Sequence, residues 1–303
     1  MTSAAIPAPP QPKLPENPRT PGRRSRSLPY YLILPIAVWL ALFFIIPFVS
    51  LVATSLYDPE GSVLTGYDMT WHFANFGHVI STYGSHLWRS VWWALIATAF
   101  CLVFGYILAY TIAFKTGRWK NVALVLVIAP FFTSFLIRTN AWKLILGDQS
   151  WLVHTLQSLH ILGADDRILA TPVAAIAGLT YNYMPFAILP LYTSIEKIDQ
   201  RLVEAAGDLY ANASKTFLRV TLPLTLPGVI SATLLTFIPA VGDYINAQLL
   251  GSTADRVIGS DIQSLFTSTQ DYASAGALSV LLLLIILVST LVYVRRFGTE
   301  EIL

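Results

Sequence analysis

Apolar residues occur along this chain in six long runs separated by polar stretches, without the spacing of two or 3.6 residues that marks soluble strands and helices. The runs cover approximately residues 29–56, 90–114, 121–138, 168–194, 227–250 and 274–294. At about 1.5 Å per residue, each run can cross about 30 Å of hydrocarbon as a helix, although the third is barely long enough. The pattern therefore predicts an all-α integral membrane protein with six transmembrane helices.

The amino-acid composition also indicates a membrane environment. Of the 303 residues, 55% are hydrophobic and only 12% are charged, whereas about 25% are charged in an ordinary soluble domain. The net charge of +2 gives no indication of nucleic-acid binding. The single cysteine, Cys101, lies inside the second run, which excludes an intramolecular disulfide and predicts a buried packing role.

The two ends of the chain are polar. Residues 1–28 are rich in Pro, Ser and Arg and are predicted to form a disordered basic tail, and residues 298–303 form a short C-terminal segment. The first run is too long for the apolar part of a cleaved signal peptide, so we expect it to be retained. Most of the 19 Lys and Arg residues lie in the tail, in alternate connections and at the C-terminal end. The positive-inside rule therefore predicts that both termini are cytoplasmic.

Sequence signatures of catalysis are missing. The chain has no Gly-x-x-x-x-Gly-Lys-Ser/Thr loop, so it does not bind nucleotide phosphates by that device. Its five histidines lie in predicted external loops without the spacing of metal ligands, and no Ser, His and Asp set stands out inside the runs. We therefore predict neither a metal site nor an enzyme.

The connection between the fourth and fifth runs, residues 196–226, is longer than a turn requires. A short helix across the cytoplasmic surface is predicted by the helical spacing of Ile198, Leu202, Ala205, Ala206 and Leu209. Ser214 is predicted to cap a second short helix, which Pro223 and Pro227 end before the fifth run. From periodicity alone, the first helix either stabilises the loop or docks on a partner.

The same connection contains Glu-Ala-Ala at residues 204–206 and Val-Thr-Leu-Pro at residues 220–223. This string resembles the EAA loop of ABC importer permeases: Glu-Ala-Ala, three residues, Gly, nine residues, an Ile-like residue, one residue, then Leu-Pro. The spacing holds throughout. Tyr210 stands at the Gly place, and we expect Ala211 or Asn212 to adopt the left-handed backbone conformation instead.

The resemblance implies that this helix sits in a groove on an ATPase subunit and transmits nucleotide-driven closure to the membrane helices. Small side chains allow close approach, and a carboxylate can accept hydrogen bonds from the partner. The expected coupling residues are Glu204, Ala205, Ala206, Gly207, Asp208, Tyr210, Leu222 and Pro223. The resemblance also implies a second homologous permease, an extracytoplasmic substrate-binding protein, and two ATPase subunits that hold ATP and Mg²⁺, with no cofactor in this chain.

Two further strings, residues 129–142 and 237–244, look like the spermidine/putrescine branch of the same family. The resemblance therefore implies polyamine import, with an amino-acid derivative or a sugar as the alternative solute. Two other classes compete with an ABC permease. The chain lacks the internal repeats and the ionisable residues within its spans that favour an ion-coupled secondary transporter, and it lacks the clustered catalytic set of a membrane enzyme.

Asp243 is the one acidic residue well inside a predicted span, which makes it a functional candidate. Pro239 and Gly242 precede it and are expected to loosen the helix there. Three interpretations remain open. Its carboxylate contacts a cationic substrate with Tyr244 as a cation–π face, pairs with Arg138 or with the partner permease, or lies at the membrane interface.

Three other features have two interpretations each. Arg138 either extends to lipid phosphate or acts as a gate, with Asn140 and Trp142 following it as pathway candidates. Tyr181 and Pro185 either mark a kink along the pathway or serve helix packing. Residues 145–167 form either an interfacial helix or a plain loop.

Overall fold

The computed structural model describes residues 28–297 apart from Val63 and Ala164. The predicted disordered tail up to residue 27 and the segment 298–303 lie outside the described residues. Helices dominate the described part of the chain, and the β-structure found there consists of isolated bridges between Tyr57 and Met69 and between Ser62 and Gly66. The predicted all-α fold is confirmed. The chain divides into two compact units, with the boundary between Val49 and Ser50.

The first unit consists of α1 and the first four residues of α2, joined without a break by the π-helical turn Ala41–Ile45. These helices are α1, Leu28–Leu40, and α2, Ile46–Thr54. The candidate span Ile33–Thr54 has a mean hydropathy of 2.7, and its most apolar stretch contains no buried residue. Such a helix, apolar on all sides, is suited to lipid rather than to water.

The second unit contains the remaining twelve described helices. The first five are α3, Ala74–Phe114; α4, Lys120–Ile128; α5, Phe135–Ile145; α6, Trp151–Ser158; and α7, Pro172–Glu196. The rest are α8, Gln200–Asp208; α9, Ala213–Thr216; α10, Leu222–Leu224; α11, Leu226–Val241; α12, Ile245–Leu250; α13, Ile258–Ser264; and α14, Tyr272–Phe297.

By length and composition, four of these segments can each cross a membrane: Ile33–Thr54, α3, α7 and α14. Two more candidates are bent helix pairs. Gly117–Phe132 and Phe135–Ile145 meet at 94°, and Ala213–Leu224 and Leu226–Val241 meet at 70°. The predicted number of six spans is therefore reached when each bent pair is counted as one span.

The boundaries of three spans differ from the prediction. Helix α3 begins at Ala74 and not near residue 90, because its first turns carry polar residues that keep the hydropathy low. The third run is interrupted where Thr133 and Ser134 adopt extended conformations between a 3-10 turn and α5. The fifth run also breaks, since α11 ends at Val241 and α12 begins at Ile245.

The core of the second unit is built where α7 packs between α3 and α11. Small side chains allow these helices to approach closely, which is how membrane helices gain van der Waals contact. Gly228 on α11 shows the constraint, because a Cβ atom there would lie 2.8 Å from the carbonyl oxygen of Pro190 on α7. Cys101 is fully buried in this core, in agreement with the packing role predicted for it.

Of the two interpretations of residues 145–167, the structure contains the helix, α6. Its first turn is capped by Ser150, whose side-chain oxygen accepts the N–H of Val153 at 3.2 Å. Val153 is only 1% exposed, so the helix is anchored to the rest of the unit.

Candidate functional site

Helix α8 forms inside the connection 196–226, as the spacing predicts. The carboxylate of Asp199 accepts the N–H of Arg201 at 3.0 Å and caps its start. Glu204 is exposed, as are most of the neighbouring residues of the predicted coupling set: Ala205, Gly207 and Asp208, with Ala206 half-buried. Leu202 and Leu209 are 49% and 80% exposed, so the rest of the described chain leaves part of the apolar stripe uncovered. An uncovered apolar stripe with a carboxylate beside it is suited to another protein.

The end of α8 corrects the prediction about the left-handed residue. Tyr210 itself has a φ of 58°, so the residue at the Gly place adopts the conformation that glycine would adopt. Its N–H binds the carbonyl of Gly207 at 2.9 Å, and the N–H of Ala211 binds the carbonyl of Ala206 at 3.1 Å. These two hydrogen bonds define a Schellman cap, which needs a left-handed residue after the last helical turn. The two capping hydrogen bonds therefore hold Tyr210 in the left-handed conformation despite its bulky side chain.

The second short helix also differs from the prediction. Its cap is Asn212, whose side-chain oxygen accepts the N–H of Lys215 at 2.9 Å, and not Ser214. Pro223 does not end this helix. It lies in α10, near the end of the continuous helical stretch Ala213–Leu224, and the bend follows this stretch at Thr225. Of the two predicted coupling residues here, Leu222 is half-buried and Pro223 is exposed.

The loop helix α8 faces the end of α3 across a cavity. Glu204, Gln200 and Val203 of α8 line a cavity of about 170 Å³ whose other wall is the C-terminal end of α3: Tyr110, Phe114 and Lys115. A displacement of α8 would therefore change the cavity at the end of α3.

Asp243 lies in the break between α11 and α12. The hydroxyl of Tyr183 donates to its Oδ2 at 2.9 Å, and Asn246 donates from its backbone N–H at 3.0 Å and from Nδ2 at 2.9 Å. The side chain is half-buried, and none of the ion pairs in the described residues includes it. Pairing with Arg138, one of the three interpretations, is therefore not observed. Neutral donors orient the carboxylate, and no cation among the described residues pairs with it.

Behind Asp243 lies a buried polar network that the sequence interpretation did not identify. Asn182 of α7 donates from Nδ2 to the hydroxyl of Thr139 at 3.1 Å and to Oδ1 of Asn246 at 3.0 Å. All three side chains are at most 1% exposed. Gly178 makes the contact possible, since a Cβ atom there would lie 2.7 Å from Oδ1 of Asn246. The signal that would have found this network is an asparagine inside an otherwise apolar run.

The burial of Arg138 argues against one of its two interpretations, contact with lipid phosphate. It lies in the first turn of α5 and is 9% exposed, so it does not extend outward in the manner of a side chain that reaches lipid phosphate. Its guanidinium Cζ lies 5.5 Å from the centre of the Phe131 ring and 5.9 Å from that of Phe135. Its buried Nε has no hydrogen-bond partner among the described residues.

The other predicted pathway residues do not form a single group in the structure. The rings of Trp142 and Tyr181 meet edge to face at 5.3 Å. Asn140 is exposed and donates from Nδ2 to the carbonyl of Leu136 at 3.0 Å. Tyr244 is half-buried beside Asp243, at the start of α12. The structure thus joins Trp142 to Tyr181 and Tyr244 to Asp243, and Tyr183 and Asn246 are additions to the predicted set.

An exposed loop helix of the EAA type, bent membrane helices and a carboxylate at a helix break together define a transport subunit and not an enzyme. The family model "binding-protein-dependent transport system inner membrane component" matches residues 25–296, and this chain belongs to that family. It is a multi-pass inner-membrane permease of an ABC importer. This confirms the resemblance of the loop sequence, and it leaves no support for the secondary transporter.

Curated relatives match almost the whole chain. The spermidine/putrescine transport system permease protein PotB of Haemophilus influenzae is 38% identical over 258 residues, which cover 85% of this chain and 90% of the relative. The protein of the same name from Escherichia coli strain K12 is 36% identical over 265 residues, covering 87% and 96%. These similar sequences belong to the spermidine/putrescine branch, so the predicted branch of the family is confirmed.

Solved structures confirm the fold. A chain of a bacterial ABC transporter involved in the import of alginate, an acidic polysaccharide, superposes with a TM-score of 0.71 at 18% identity, covering 90% of this chain and 96% of that one. A chain of the MetNI methionine transporter, in inward-facing conformations, has a TM-score of 0.52 at 16% identity, covering 71% and 94%. These structures show the shared fold alone, so the solute has to be argued from the site.

Proposed function

We propose that this permease imports polyamines of the spermidine and putrescine type. Support comes from the 36–38% identity to the two spermidine/putrescine permeases, which extends over most of each chain. The observation that carries the proposal is Asp243, whose carboxylate is held by Tyr183 and Asn246 at a helix break and has no ion pair within the described part of the chain. A polyamine consists of ammonium groups joined by methylene segments, and such a cation needs an oriented anion along its path.

The proposed assembly contains a second, similar but non-identical permease, two ATPase subunits that bind ATP and Mg²⁺, and an extracytoplasmic substrate-binding protein. Six spans are too few to enclose a pathway in this family, which is why a second permease is needed. Both termini are cytoplasmic by the distribution of Lys and Arg. In this orientation α8 faces the ATPase, and its exposed Glu204 and uncovered leucines form the docking surface.

The coupling role follows from where α8 lies. Nucleotide-driven closure of the ATPase subunits displaces α8, which forms one wall of a cavity with the end of α3 and leads through α9 and α10 into the bend before α11. Helix α11 in turn ends at the break that holds Asp243. The chain itself catalyses no reaction and contributes alternating access.

The test is uptake and ATP hydrolysis by the whole importer in liposomes, with spermidine, putrescine, a sugar and an amino acid each offered through the binding protein. We expect stimulation by the polyamines. Asp243→Asn keeps the size of the side chain and removes the charge, and it also replaces one of the two accepting oxygens with an N–H donor. It should lower polyamine uptake by about tenfold or more.

The matched control is Asp68→Asn, which makes the same change in charge at an exposed residue of the segment between α2 and α3. It should transport normally. Stimulation by the sugar or the amino acid alone would contradict polyamine import. Equal uptake by Asp243→Asn and Asp68→Asn would remove Asp243 from the pathway.

A further inference from the structure

Four aromatic side chains form a connected group next to Asp243, and we call them the aromatic cluster: Phe131, Phe135, Tyr183 and Phe186. The rings of Phe131 and Phe186 meet edge to face at 4.9 Å, Tyr183 lies 6.2 Å from Phe186, and Phe135 lies 6.4 Å from Tyr183. Tyr183 also donates its hydroxyl to Asp243 at 2.9 Å. The cluster is thus directly connected to the unpaired carboxylate.

The cluster already contains a cation. The guanidinium of Arg138 lies over Phe131 and Phe135, with Cζ at 5.5 and 5.9 Å from the two ring centres. A buried arginine normally has a carboxylate partner, because removing a charge from water is costly. Within the described residues Arg138 has no ion pair, and its Nε has no hydrogen-bond partner. The aromatic faces are therefore the main stabilising contact of this charge.

We propose that the aromatic cluster is a binding site for one ammonium group of the transported cation, and that Arg138 is a tethered cation which the substrate displaces. This inference rests on the proposed polyamine import. Cations of both kinds are attracted by the same ring faces within about 6 Å. Phe131 is 42% exposed, so its ring is open to a second occupant.

The arrangement matches the chemistry of a diammonium chain. One ammonium group binds the carboxylate of Asp243, and the next binds the ring faces at the other side of Tyr183. A neutral solute gains nothing from these faces and leaves Arg138 in place. The arginine therefore selects for cations, at the cost of a lower apparent affinity, because the substrate has to displace it.

The test is equilibrium binding of radiolabelled spermidine to the complete membrane assembly in nanodiscs, without the binding protein. Arg138→Gln removes the resident cation and should tighten binding by about threefold to thirtyfold. Arg138→Lys keeps a cation and should bind close to wild type. Lys143→Gln is the matched control, since it removes an exposed cation from the same helix and should change nothing.

A second measurement leaves Arg138 in place. Incorporation of 4-fluorophenylalanine at position 131 places a fluorine reporter in the cluster, and spermidine should shift its resonance whereas neutral 1,4-butanediol should not. An unshifted resonance at saturating spermidine, or binding by Arg138→Gln no tighter than by Lys143→Gln, would overturn the inference. If uptake is polyamine-stimulated in either case, the proposed function stands; if the importer takes no polyamine, the function itself fails.

Discussion

Tyr210 adopts a backbone conformation that its side chain disfavours. A left-handed conformation costs a residue with a Cβ atom about 1–2 kcal/mol, and the Tyr210 side chain is 98% exposed, so packing within the described chain does not compensate for it. The compensation comes from the two Schellman hydrogen bonds to the carbonyls of Gly207 and Ala206. The strained residue lies on the surface that we propose docks on the ATPase.

Replacing Tyr210 with glycine should stabilise this cap by about 1 kcal/mol, because glycine adopts a positive φ without steric cost. The measurement is hydrogen exchange of the Ala211 amide, which should slow by about fivefold. Leu209→Gly is the control, since Leu209 is also exposed but has a φ of −84°, and there exchange should become faster. Unaltered exchange in Tyr210→Gly would show that the residue carries no strain.

At the scale of elements, α8 is a short helix whose function depends on what it touches. Its Glu204 is exposed and also borders the cavity shared with the end of α3. Glu204→Ala removes the carboxylate and introduces a better helix former, so the helix itself should persist.

We expect Glu204→Ala to lower substrate-stimulated ATP hydrolysis and uptake by about tenfold, as for loss of a hydrogen bond to a charged group, while the complex still assembles. Glu60→Ala, in the segment between α2 and α3, makes the same chemical change away from α8 and should be silent. Coupled transport that survives Glu204→Ala unchanged would exclude the role proposed for this residue, whatever the substrate.

At the scale of the whole molecule, orientation can be tested by labelling. Cys101 is fully buried, and its thiol contacts the carbonyl of Thr180 at 3.2 Å, so Cys101→Ala provides a background free of cysteine. In this background Leu64→Cys, at a 98% exposed position, should react with a membrane-impermeant maleimide in intact spheroplasts.

Arg118→Cys, in the connection between α3 and α4, should react only after the membrane is permeabilised, because the positive-inside rule places this connection in the cytoplasm. Labelling of position 118 from outside, with position 64 protected, would invert the proposed topology and would move α8 away from the ATPase.

The sequence by itself determined that the chain belongs in a membrane, the number of candidate spans and the position of the short helix α8 in the loop. Each of these depends on patterns that are local in the chain: long apolar runs, helical spacing and the fixed intervals of the loop at residues 204–223. It also singled out Asp243, because a carboxylate within an apolar run is costly wherever the helix packs.

Only the tertiary structure decided what these residues contact. The breaks before α5 and α12, the network of Thr139, Asn182 and Asn246, and the rings beneath Arg138 depend on groups far apart in sequence. Hydropathy averages over neighbours along the chain, so it cannot register a hydrogen bond between two helices or the left-handed turn that two such bonds impose on Tyr210. For the same reason, the acidic side chain of Asp243 was visible in the sequence, whereas its hydrogen bonds to Tyr183 and Asn246 were not.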